Sequence, residues 1–106
     1  MPKGGDIILV AFPFTDLTGE KRRPAIVIGA SEDHCITLFI TSRVQGGRLW
    51  HVPIAADETS GLVLPSIIRC DKIASFDMKV VQGQLGRASK ETMQRVKLKL
   101  RKLLRI

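Results

Sequence analysis

The sequence lacks several features, and each absence narrows what the chain can be. No apolar run approaches the roughly 20 residues that a membrane-spanning helix needs. The opening MPKGGDIILVAF has neither the apolar core nor the small-residue cleavage site of a secretory leader. The expectation is a cytoplasmic protein with no membrane role. Internal repeats, low-complexity tracts and linker-like stretches are also missing, so the 106 residues are expected to form one domain, 1–106, with its own core. Cysteine is scarce. Cys35 and Cys70 each sit inside an apolar run, where a thiol behaves as a small buried hydrophobe. In a cytosolic chain a structural disulfide between them is the less expected alternative. With His34 and His51 they could supply four metal ligands, but no CxxC or HxxxH spacing joins them. The adjacent His34 and Cys35 would also face opposite sides of a strand. No metal site and no cofactor are expected.

Acidic residues become rare toward the end of the chain, and this sets the charge. Residues 1–86 carry nine Lys/Arg against nine Asp/Glu, whereas 87–106 carry eight against the single Glu91, so the whole net charge of +7 lies in the last stretch. Asp6–Phe12 is apolar on both alternations, which suits a strand covered on both faces. Pro13 ends it, and TDLTGEKR reads as an exposed loop. Pro24–Ile28, Cys35–Thr41 and Ser66–Ile73 read as strands rich in β-branched residues. Leu49–Ile54 alternates and contains a proline, the pattern of an edge strand. RVQGG and AADETSG read as connections, and VVQGQLG as a short final strand. Ser89 is a good N-cap for a helix whose apolar positions are Met93, Val96, Leu100, Leu103 and Leu104. Its other face carries Lys90, Arg95, Lys97, Lys99, Arg101, Lys102 and Arg105. The pattern is that of a mainly β fold with a C-terminal α-helix, a small curved barrel closed by the helix.

The blocks GDIILVAFPFTD, KRRPAIVI, FITSRV, GLVLPSIIRCDKIASFD and GQLGRASKETMQRV, in this order and closely spaced, resemble the MazF/PemK family of ribonuclease toxins over about Gly5 to Leu104. The resemblance implies an SH3-like barrel, a homodimer, metal-independent cleavage of single-stranded RNA, and restraint by a cognate antitoxin. The first loop is of the shorter PemK-like kind, and ASFD stands where many members carry a threonine-containing version. By position, the family's catalytic arginine falls on Arg23 and its catalytic threonine on Thr41.

The residue chemistry agrees with those roles. If the ribose 2′-hydroxyl attacks the adjacent phosphorus, negative charge builds on the phosphoryl oxygens, and a planar guanidinium can bind two of them while staying protonated. A β-branched hydroxyl at a strand end has few rotamers, so it can be aimed at little entropic cost. Arginine, with a reference pKa above about 12, makes a poor general base. His51 can titrate near neutrality, but nothing in the sequence brings it to Thr41, so general acid and base stay unassigned. Arg22, Ser42, Arg43 and Arg48 are the expected substrate contacts, with idle exposed side chains as the alternative. Asp71 and Lys72 read as a structural pair at a dimer interface, and Trp50 as core or interface. The basic helix face could attract RNA, dock an acidic antitoxin that folds on binding, or simply be solvated. Two rival functions remain at this stage: a non-enzymatic gyrase poison of the CcdB type, and a plain nucleic-acid-binding barrel.

Overall fold

The computed structural model describes residues 1–13, 20–43 and 48–106. The expected loops TDLTGEKR, as far as Gly19, and RVQGG, beyond Arg43, lie outside the described residues. The chain runs through β1 (Asp6–Pro13), β2 (Glu20–Ala30), β3 (His34–Thr41), β4 (His51–Ile54), β5 (Ser66–Asp77), a 3-10 turn (Met78–Val80), β6 (Val81–Arg87) and α1 (Lys90–Leu104). The strands form one six-stranded antiparallel sheet in the order β4-β5-β3-β2-β1-β6. The mainly β architecture with a C-terminal helix is as expected. No helix among the described residues is long and apolar enough to cross a membrane.

The double apolar alternation of β1 is used on both faces. Ile7 joins Ile26, Leu38, Ile40, Ile68 and Cys70 in a core that Val96 and Leu100 of α1 cover. Ile8 and Val10 join Ala25, Val27 and Cys35 in a second layer, covered by Phe39, Phe76, Met78 and Val81. The two cysteines are free, buried and in different layers. Burial pushes both thiols up, that of Cys70 to about 11. Leu104, expected on the apolar helix face, is instead 47% exposed, because the core ends a turn earlier at Leu100. Ser89 caps α1 as expected, its Oγ accepting the Thr92 amide at 3.1 Å.

The two edge strands, β4 and β6, do not pair with each other, so the hydrogen-bonded barrel stays open. The turn after β4 spans the gap by backbone contact. Ser60, buried, donates its Oγ–H to the Ala55 carbonyl at 2.7 Å while its amide binds Asp57 Oδ1 at 2.8 Å. The turn so built offers the Thr59 carbonyl to the Arg87 amide at 2.7 Å. Gly61 has φ +70, and a Cβ there would run into the Leu85 carbonyl; a Cβ on Gly86 would strike the carbonyls of Thr59 and Ser60. Only glycines let these two backbones approach so closely.

Three strands differ from expectation. β2 begins at Glu20, so Glu20–Arg22 are strand and not loop. The cause is pairing: β1 continues opposite them, Ala11↔Arg22, Phe12↔Lys21 and Pro13↔Glu20, and ladder formation overrides weak strand propensity. β4 starts at His51, leaving Leu49 and Trp50 in a turn. β5 runs on to Asp77 because its second half pairs with the first half of β3, from Leu38↔Ile73 to His34↔Asp77.

Candidate functional site

The ladder between β2 and β3 stops at Ala25↔Phe39, although β2 goes on pairing with β1 for five more residues. The next residue on β2 is Pro24, which has no N–H for a ladder to use. Beyond it the β2–β3 ladder is not continued, and residues of both strands line a cleft of about 740 Å³. Continued by two residues, the β2–β3 register sets Arg23 opposite Thr41, and both line this cleft. Arg23 is not at the start of its strand, as expected, but three residues inside it, opposite Val10. The residue before a proline is confined to extended geometry, so its backbone is fixed from both sides.

Arg22, Ser42 and Arg43 also line the cleft. Thr41 Oγ1 accepts the Arg43 amide at 3.2 Å, which leaves the hydroxyl proton available to donate outward. The remaining wall is mainly apolar, with Leu9, Ile40, Leu62, Val63, Leu64 and Leu85 beside Ser66. Val63 and Leu64 stand on the segment after the Gly61 turn and are 92% and 57% exposed. Arg48 does not join this group. It lies beside His51, whose amide binds the Arg48 carbonyl at 3.1 Å.

A second depression, of about 210 Å³, shares Arg23, Thr41 and Arg43 with the cleft and adds Phe39, Arg69 and Lys72. The sequence reading missed Arg69, which looked like one more residue of an apolar strand. It missed the place of Lys72 because of an irregularity in β5. Phe39 pairs with Arg69 and Leu38 with Ile73, so Cys70–Lys72 have no partner on β3. Such an insertion bends a strand and re-aims its side chains. Lys72 does not pair with Asp71, as expected; its Nζ stands 5.5 Å from the Phe39 ring centroid. Asp71 instead accepts from Arg69 Nη2 at 3.3 Å. Burial alone would raise the Asp71 carboxyl, but the hydrogen bond and charge of Arg69 hold it below its usual value.

His51, the register partner of Arg69, does not line the cleft. Burial and the Arg69 guanidinium push its imidazole down, against the opposing pull of Asp71. Trp50 packs on the helix-side core. Among the described residues no three His, Cys, Asp or Glu converge as a metal site.

A family model described as PemK-like, MazF-like toxin of type II toxin–antitoxin system matches residues 3–104. No curated protein matches the chain in sequence. Among solved structures, the chain is similar to a MazE–MazF complex from Deinococcus radiodurans, with 24% identity over 99% of this chain and 97% of that one, and a TM-score of 0.81. It is also similar to the Mycobacterium tuberculosis toxin MazF-mt6, with 19% identity, 95% and 97% coverage and a TM-score of 0.76. A third likeness is to an endoribonuclease in complex with its cognate antitoxin from a mycobacterial species, with 13% identity, 100% and 97% coverage and a TM-score of 0.75. At these identities the structures speak for the fold.

Proposed function

The chain belongs to the PemK-like, MazF-like toxins of type II toxin–antitoxin systems, and on that premise we propose that it is a cytoplasmic endoribonuclease cutting single-stranded RNA without a metal ion. The 2′-oxygen bonds to the adjacent phosphorus as the bond to the 5′-oxygen breaks, leaving a cyclic phosphate and a free 5′-hydroxyl. Arg23 is the group that binds the phosphoryl oxygens as charge develops on them. Thr41 donates its hydroxyl proton to one of those oxygens or orients the attacking hydroxyl. Arg22, Ser42 and Arg43 hold the strand, and Arg48 would meet it only outside the cleft. Proton transfer is assigned to no side chain.

The observation that carries this reading is that Arg23 and Thr41, just past the end of the β2–β3 ladder, line one cleft. The cleft's described lining holds arginines, hydroxyls and apolar side chains, a mixture suited to a polyanion that carries flat apolar bases. The partner proposed is an acidic antitoxin that folds on the toxin dimer and covers the cleft. Added in near-stoichiometric amount, it is expected to abolish cleavage; full activity in a saturated complex would refute occlusion.

The deciding experiment incubates purified protein with a long unstructured RNA in excess EDTA, beside Arg23→Ala and Thr41→Ala. Cleavage by the wild type alone, with cyclic-phosphate ends and none where the 2′-hydroxyl is replaced by hydrogen, is the expected result. Intact RNA, or equal cutting by all three proteins, would sink the proposal.

A further inference from the structure

The small depression beside the cleft gathers four cations, Arg23, Arg43, Arg69 and Lys72, around about 210 Å³. Asp71, the carboxylate beside Arg69 on the same strand, is already engaged by it. Cations gathered in a concave site focus positive potential there and draw in an anion.

The cations are also held in place. The Cys70–Lys72 stretch of β5, which β3 skips, carries Lys72 over the Phe39 ring, at 5.5 Å from its centroid, a favourable position for an ammonium. Arg69 is steered by its bond to Asp71, and its Nε is buried with no hydrogen-bond partner among the described residues. Its side chain nevertheless stays 29% exposed, so the guanidinium can still donate outward. The two depressions overlap on Arg23, Pro24, Ile40, Thr41 and Arg43; beyond the overlap the larger adds mainly leucines and valine, with Arg22, and the smaller adds the cations Arg69 and Lys72 beside Phe39. A nucleotide strand has the same division, an apolar base face beside an anionic backbone.

We infer that the small depression is a subsite for a second backbone phosphate, on the linkage next to the one cut, with Lys72 and Arg69 as its contacts. This rests on reading the cleft as RNA-cleaving. Two bound phosphates fix the direction of the strand as well as its position, so the scissile linkage arrives in one orientation at Thr41.

The test is a thermodynamic cycle on the intact protein. After the cut position is mapped, a single-stranded oligonucleotide is made with a 2′-deoxy residue there, so that it binds uncut. Each neighbouring phosphate is replaced in turn by a neutral methylphosphonate. For the wild type, one replacement is expected to weaken binding about tenfold. Lys72→Gln should lose about as much with the natural oligonucleotide and then be insensitive to that replacement, with the magnitude of its log–log salt slope reduced by about 0.7. With the cleavable RNA its KM should rise about tenfold while kcat stays within about twofold. Arg69→Gln, checked for folding by thermal unfolding, should behave alike. If variant and neutral linkage weaken binding independently, or neither neighbouring phosphate matters to the wild type, the subsite is overturned while the cleavage reading stands. If the wild type binds no RNA, both fall together.

Discussion

Arg23 is fixed along its backbone by its pairing with Val10 and by Pro24 after it, so the guanidinium swings from a rigid base. Lysine in its place would keep the charge and lose the two-pronged donor set. Arg23→Lys is expected to cut the single-turnover rate about 10²- to 10³-fold, nearly as much as Arg23→Ala; near-wild-type turnover would mean that charge alone suffices. The two histidines offer a different residue-scale check. Asp33, hydrogen-bonded to His34 at 2.9 Å, raises that imidazole above its ordinary 6.5, while burial and Arg69 lower His51 below the same value. Their linkage to folding has opposite sign. What His34 contributes is present below 6.5 and lost as pH rises through its folded value; what His51 contributes is complete above 6.5 and declines as pH falls toward its folded value. Because global unfolding sums these with every other titrating group, NMR titration of each ring is the right measurement. Asp33→Asn should bring His34 down and leave His51 where it was, and an inverted order of the two rings would contradict the site's electrostatics.

At the scale of elements, the contact between the Asp57–Gly61 turn and β6 depends on two missing side chains. Gly86→Ala is expected to destabilise the protein by about 2–3 kcal/mol through overpacking against the Thr59 and Ser60 carbonyls, read by urea unfolding. Ser89→Ala, which removes the Thr92 amide's acceptor, should cost about 1 kcal/mol. If Gly86→Ala were as mild as Ser89→Ala, the turn would have to be free to move away. The element scale also shows what the sequence makes legible. β1, β3 and α1 could be read because each carries its own periodicity: apolar on both alternations, β-branched, and helical with a capping serine. The start of β2 could not, since Glu20–Arg22 have no strand character of their own and are strand only because β1 lies opposite. The same limit hid part of the site. Arg23 and Thr41 could be singled out by position, but Arg69 and Lys72 reach them through a strand irregularity that depends on β3 pairing, which local sequence does not encode.

For the whole molecule, charge is the simplest handle. The barrel residues are neutral in sum, and the excess of +7 rides on the last stretch, much of it on exposed positions of α1 such as Lys97, Arg101 and Lys102. Changing these three to Gln should slow association with long RNA and flatten its salt dependence, while cleavage of a short oligonucleotide filling only the cleft stays unchanged. Equal behaviour on long RNA would assign the helix face to solvent. The turn that bridges β4 and β6 also has a consequence for the chain as a unit. Its carbonyl at Thr59 holds the Arg87 amide, its continuation, Leu62–Leu64, walls the cleft, and Arg87 leads within three residues into α1. A molecule seated against Leu62–Leu64 must therefore slow the opening of that bond, so deuterium uptake at the Arg87 amide becomes a built-in gauge of cleft occupancy. It would report an antitoxin or an RNA alike, without a label and without waiting for a bond to break.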